Sequence, residues 1–117
     1  MMKAFVLERS LILSRLGGDE EIFTMMADLF LQDVEGIASA FASAFSQGSS
    51  ANVMREAHTI KGLLATFSDE DGAAAAFTLE QQAKQGHIDG LQPAVTALQQ
   101  RLIEVADVLR REMGRAG

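Results

Sequence analysis

The sequence predicts an all-α protein: an antiparallel up-and-down four-helix bundle with a short additional N-terminal helix. Three observations predict it. The chain runs without proline from Met1 to Gln92, and its single proline, Pro93, falls where an amphipathic stretch begins; proline breaks helix interiors. Apolar residues recur in steps of three and four along successive stretches, the period of a buried helix face. Short turns divide those stretches, and short connections return each helix antiparallel to the last. Nothing in the pattern suggests a sheet.

The first segment, about Leu7–Leu16, is short and ends at Gly17-Gly18-Asp19. It is expected to cap one end of the bundle. The second runs from about Glu20 to Ser46. Asp19 is the expected N-cap, and Glu20 and Glu21 suit the positive end of a helix. Phe23, Phe30, Ile37 and Ala44 recur every seven residues, interleaved with Ala27, Val34 and Phe41, to form its seam. Ile22, Met26 and Leu29 lie beyond that seam and are expected to pack the first helix, or to add with Met54 to an exposed apolar patch.

Gln47-Gly48-Ser49-Ser50 reads as a turn, with Ser49 or Ser50 capping a third helix over about Ala51–Phe67. Ser68-Asp69-Glu70-Asp71-Gly72 reads as an acidic turn. An alanine-rich fourth helix of about Ala73–Gln85 follows, with Ala76, Leu79 and Ala83 as its narrow apolar face and Gly86 as C-cap. The last helix, about Gly90–Met113, has the most regular pattern. Leu91, Val95, Leu98, Leu102, Val105 and Leu109 step by four and three, and Pro93 sits in the first turn, where a missing N–H costs little.

With 117 residues, 48% of them hydrophobic, the chain is read as one domain over 1–117. It has no cysteine, which removes disulfides, thiolate metal sites and a Cys nucleophile. Its two histidines stand far apart in sequence, so no metal and no cofactor is expected. The net charge is −6 and no basic stripe is visible, which argues against nucleic acid. The apolar run Ala4–Leu7 is too short for a signal peptide or a membrane span. A soluble, cytoplasmic monomer is expected, either freestanding or as one domain of a larger membrane-anchored protein.

The third helix carries the candidate chemistry. Its seam is Val53, Ala57, Ile60, Leu64 and Phe67. At about 100° per residue, His58 points roughly 140° from the centre of that seam, toward solvent or a partner. Gly62 and Ala65 lie on the same outward stripe and leave bare backbone beside the imidazole. Lys61, one turn along, can place an ammonium near whatever the imidazole carries. A mid-helix glycine costs about 1 kcal/mol relative to alanine, which makes sense if access to His58 matters. A neutral exposed imidazole is a competent nucleophile toward a phosphoryl group, and Lys61 would offset part of the charge that develops. A lone surface histidine beside a lysine is also commonplace on a solvated face, so these residues alone leave both readings open.

Ala57-His58-Thr59-Ile60-Lys61-Gly62 resembles the Ala-His-x-hydrophobic-Lys-Gly core of histidine-containing phosphotransfer (HPt) domains and of the related phosphoacceptor domain of chemotaxis kinases. Leu63–Phe67 continues with small and apolar residues in the same manner. Leu16-Gly17-Gly18-Asp19-Glu20-Glu21 resembles the segment that opens the family's first long helix, and Phe30-Leu31-Gln32-Asp33 a stretch within it. The resemblance covers essentially the whole chain. It implies a phosphoacceptor role for His58, charge stabilisation by Lys61, and a small residue at Gly62 so that a receiver domain docks; Met54, Arg55 and Ala65 are expected to share that docking surface. The acidic turn Ser68–Gly72 departs from the family's short glycine turn. Gln82 and Ala83 stand where many members carry Leu and Glu. A polar contact from the fourth helix to His58 is therefore in doubt, with Gln81 or Gln82 the conceivable donors.

The remaining acidic residues read as solvated faces, and His87 as a turn residue beside the negative end of the preceding helix. No phosphate-binding glycine loop or ATP-site motif is present. The expected function is acceptance of a phosphoryl group on His58 from a receiver aspartyl phosphate and transfer to another response-regulator receiver, with a sensor or hybrid histidine kinase upstream. Two alternatives stand beside it: the phosphoacceptor domain of a chemotaxis-type kinase, and a helical interaction module without phosphotransfer. A metal-binding bundle is disfavoured, since such sites need inward-facing ligands.

Overall fold

A computed structural model describes residues 2–116. Its elements in order are α1 (Arg9–Arg15), α2 (Glu20–Ser46), α3 (Ser50–Thr66), α4 (Glu70–Lys84) and α5 (Gln92–Ala116), with no strand among the described residues. The 27 residues of α2, at about 1.5 Å each, span about 40 Å. That is close to the 43 Å long axis of the molecule. Tight connections reverse the chain between consecutive helices, and α5 closes the bundle by packing on both α4 and α2. The contact between α3 and α4 is the most extensive.

The helices begin where polar caps meet apolar periodicity. Asp19 accepts the Ile22 amide at 3.1 Å and Ser49 accepts the Asn52 amide at 3.2 Å, each satisfying an otherwise orphaned donor. The expected seams are buried: Phe23, Ala27, Phe30, Val34, Phe41 and Ala44 from α2, and Val53, Ala57, Ile60 and Leu64 from α3. Ala76, Leu79 and Ala83 of α4 are buried in the same core as Val95, Leu98, Leu102, Val105 and Leu109 of α5. Phe30 and Phe67 meet edge to face, centroids 5.4 Å apart. Ile37 and Leu91 are only partly buried. α1 buries Ile12, and its Arg9 lies over the Phe23 ring while pairing with Glu20 and Glu112. It is thereby fixed where α2 begins and α5 ends.

The structure corrects the sequence reading in three places. Helix α4 begins at Glu70, not Ala73: the acidic stretch is a helix start in which Asp69 caps the Gly72 amide at 3.1 Å. Helix α5 begins at Gln92, after Gly90 with its positive φ of 82°, and continues past Met113 to Ala116. Of the two roles expected for Ile22, Met26 and Leu29, exposure favours the apolar patch for Ile22 (41% exposed) and Leu29 (52% exposed), while Met26 is half-buried against the core. Finally, not every acidic residue is a solvated face. Asp69 and Arg101 form a buried, two-pronged ion pair, Nη2–Oδ1 2.7 Å and Nε–Oδ2 2.8 Å, that ties the start of α4 to the middle of α5. Arg101 also reaches Glu104 and the Lys3 carbonyl, and Glu104 accepts the Phe5 amide. The segment before α1 is thus laid along α5 with Phe5 buried.

Candidate functional site

The α3 seam fixes which residues face outward. With Val53, Ala57, Ile60 and Leu64 all buried, the opposite arc of the helix carries Ala51, Arg55, His58, Gly62 and Ala65, all exposed. The His58 side chain is 66% exposed. A Cβ built on Gly62 would meet nothing within 4 Å, so no packing inside the domain demands a glycine there. The backbone beside His58 is open, as the sequence predicts.

The fourth helix contributes what the sequence reading missed. Glu80 lies across the α3–α4 seam, its side chain 14% exposed, with Oε2 3.1 Å from His58 Nδ1 and Oε1 2.8 Å from Lys61 Nζ. The polar contact from α4 to His58 therefore exists, and it comes from Glu80 rather than Gln81 or Gln82. Lys61 is held on its other side by the Phe77 ring, 5.1 Å from Nζ, a cation–π contact. The Glu80 carboxyl is held below its ordinary range, above all by the hydrogen bond from Lys61; burial works against this, and His58 adds to it. A sequence signal for Glu80 does exist. At 100° per residue it stands about 40° from Ala76, at the margin of the α4 apolar face rather than outside it.

An ionised carboxylate can only accept. The proton in the His58–Glu80 hydrogen bond therefore sits on Nδ1, and in the neutral ring the lone pair is on Nε2. Glu80 in this way selects the tautomer and orients the ring, as carboxylates commonly do for functional imidazoles. Met54 and Arg55 line a shallow depression of about 360 Å³ together with Ala51, His58, Thr59 and Glu80. Gly62 and Ala65 lie on the other side of His58, toward the end of α3. His87 is exposed in the α4–α5 connection and takes no part. Among the described residues, no group of three His, Asp or Glu side chains is placed to hold a metal ion.

The fold and this site define a class of protein: a helical bundle that displays one oriented imidazole at its surface. A sequence model of the Hpt domain matches residues 25–108. The chain belongs to the Hpt domain family, whose members carry out histidine phosphotransfer in two-component phosphorelays. Such domains are phosphotransfer intermediates that interact with histidine kinases and receiver domains.

Two solved structures share the fold. One is histidine-containing phosphotransfer protein B from Pseudomonas aeruginosa PAO1, with a TM-score of 0.84 at 19% identity over 97% of this chain and 98% of that one. The other is the HPT domain of a sensor hybrid histidine kinase from Shewanella, with a TM-score of 0.82 at 15% identity over 93% of this chain and 94% of that one. No curated protein sequence matches the chain. No helix among the described residues is long and apolar enough to cross a membrane.

Proposed function

We propose that His58 is the phosphoacceptor, and that residues 1–117 act as one domain receiving a phosphoryl group from a receiver aspartyl phosphate and passing it to a second receiver. One observation carries this reading: the exposed His58 ring is bound through Nδ1 to Glu80, so that in the neutral ring the Nε2 lone pair is directed away from that contact. In the forward step the Nε2 lone pair forms a bond to phosphorus. The bond from phosphorus to the aspartyl oxygen breaks, and its electron pair returns to the receiver carboxylate. The ring gains a positive charge, which Glu80 offsets through the Nδ1–H it already holds. The reverse step returns the phosphoryl group to a carboxylate and restores the neutral ring.

Lys61 has three N–H donors and spends one on Glu80. The others are available to phosphoryl oxygens as charge develops on them. The receivers supply the magnesium and most of the transition-state stabilisation. Lacking an ATP-site motif, the domain acts in a cytoplasmic relay as a monomer that does not phosphorylate itself. Met54, Gly62 and Ala65 form the receiver-facing surface on either side of the ring.

The test is transfer from a phosphorylated receiver followed by mass spectrometry. One added phosphoryl group on His58, labile in acid and stable in base, is expected, and none on His58→Gln. A His58→Gln variant that still takes up the group would overturn the assignment.

A further inference from the structure

We propose that Arg55 is a positioning residue for the phosphorylated state, holding the phosphoryl group on His58 Nε2 from the side opposite Lys61; this rests on His58 being the phosphoacceptor. The argument begins with helix geometry. Arg55 and Lys61 stand three residues before and after His58. At 100° per residue they are rotated about 60° to either side of it. Lys61 is on the α4 side, where Glu80 neutralises it at 2.8 Å and Phe77 covers it. Arg55 is on the side away from α4. It is exposed and has no ion-pair partner among the described residues.

Two further observations put Arg55 near the phosphoryl group. Helical side chains lean toward the N-terminus, so the His58 ring lies over the turn that contains Met54 and Arg55. The depression beside the ring accords with this: its lining includes His58, Met54 and Arg55, with Glu80 at its α4 edge, but neither Lys61 nor Gly62. The Nδ1 edge of the ring is turned to Glu80, which leaves Nε2 away from the α4 carboxylate. A dianionic phosphoryl group there meets a cation whose charge is already offset on one flank and a free guanidinium on the other. Guanidinium groups bind phosphoryl oxygens in a two-pronged fork that an ammonium cannot match.

The experiment separates this role from receiver docking. At equilibrium and at fixed total concentrations, the ratio of phosphorylated domain to phosphorylated receiver depends only on the free energies of the free species, phosphorylated and unphosphorylated. A residue that merely docks the receiver changes forward and reverse rates together and leaves the ratio alone. The full chain is mixed with a phosphorylated receiver domain and the ratio is read at dilution, where complexes are not populated. Arg55→Gln is expected to shift it about two- to fivefold toward the receiver, the range of a partly exposed ion pair. Arg55→Lys is expected to regain part of the wild-type ratio, and Arg111→Gln on α5, with the same change in net charge, to leave the ratio unchanged. In ¹⁵N spectra of wild type, the Arg55 Nε–H resonance is expected to move on phosphorylation. An unchanged ratio in Arg55→Gln with His58 labelled normally overturns the Arg55 role alone; failure of wild type to label His58 overturns it together with the phosphoacceptor assignment.

Discussion

His58 and Glu80 meet across the α3–α4 seam, Nδ1 to Oε2, at 3.1 Å, and the same carboxylate holds Lys61 at 2.8 Å through its other oxygen. One acidic side chain thus sets the tautomer of the imidazole and the position of its neighbouring cation. Most of the chemistry attributed to α3 depends on α4 being correctly packed.

Glu80→Gln keeps the shape of that contact and removes its charge. The amide can still accept from Nδ1–H, but it no longer offsets the positive ring that forms on phosphorylation. A charge-assisted hydrogen bond is about twice as strong as a neutral one. The rate of transfer to His58 is expected to fall about tenfold, and by more in Glu80→Ala, where the ring also loses its orientation. Rapid-quench measurement with a phosphorylated receiver checks this. Equal rates in wild type and Glu80→Ala would remove Glu80 from the mechanism.

The depressed Glu80 carboxyl also makes a stability prediction with a definite sign. Its ordinary value is 4.5, and the folded protein holds it lower, chiefly through Lys61. As pH falls, the unfolded chain takes up the proton first. The contribution of Glu80 to stability is therefore complete above 4.5 and is lost as pH falls through the lower folded value. Urea unfolding in a His58→Gln background, which removes the titration of the imidazole, isolates the effect. The stability gap between that variant and its Glu80→Gln derivative is expected to be flat above 4.5 and to close in stronger acid.

What the sequence discloses is set by how local the cause is. The α3 seam, the outward direction of His58 and the open backbone at Gly62 follow from spacing along one helix, and they stand in the structure as expected. Asp19-Glu20-Glu21 and Asp69-Glu70-Asp71 carry the same signal for a helix start. The second also reads as a turn, because Gly72 follows it. Here the glycine is required by packing inside the first turn of α4 and does not end anything. Glu80 and Arg101 escaped for a different reason. Glu80 partners His58 from 22 residues away and Arg101 partners Asp69 from 32, so only the packing of separate helices creates those contacts.

The Asp69–Arg101 pair predicts a large and asymmetric mutational response. Asp69 at once caps α4 and neutralises a guanidinium whose side chain is only 4% exposed. Arg101→Met leaves an uncompensated buried carboxylate, and breaking such a pair from one side typically costs about 3–5 kcal/mol. Asp69→Asn keeps a capping oxygen but leaves the guanidinium unpaired, and a loss of similar size is expected. Combining the two is expected to cost clearly less than their sum, because neither charge is then stranded. Denaturant titration of the four proteins measures this; strict additivity would mean that the pair does not act as a unit.

Two glycines that look alike in sequence are expected to respond to alanine in opposite directions. A Cβ on Gly72 would collide with the Asp69 carboxylate and come within 2.8 Å of Leu64 Cδ1. Leu64 can shift its terminal methyl, but Asp69 is pinned by Arg101 and by its own cap. Gly72→Ala is therefore expected to destabilise the domain by about 1–3 kcal/mol, the usual cost of overpacking, despite the better helix propensity of alanine. A Cβ on Gly62 meets nothing, so Gly62→Ala is expected to stabilise the isolated domain by up to about 1 kcal/mol. That stabilisation should accompany slower transfer from a receiver, since the added methyl stands where the partner must approach the imidazole. Thermal unfolding and transfer kinetics on the same Gly62→Ala sample decide the point. A more stable protein that transfers at the wild-type rate would show that the bare stripe beside His58 is not a docking requirement.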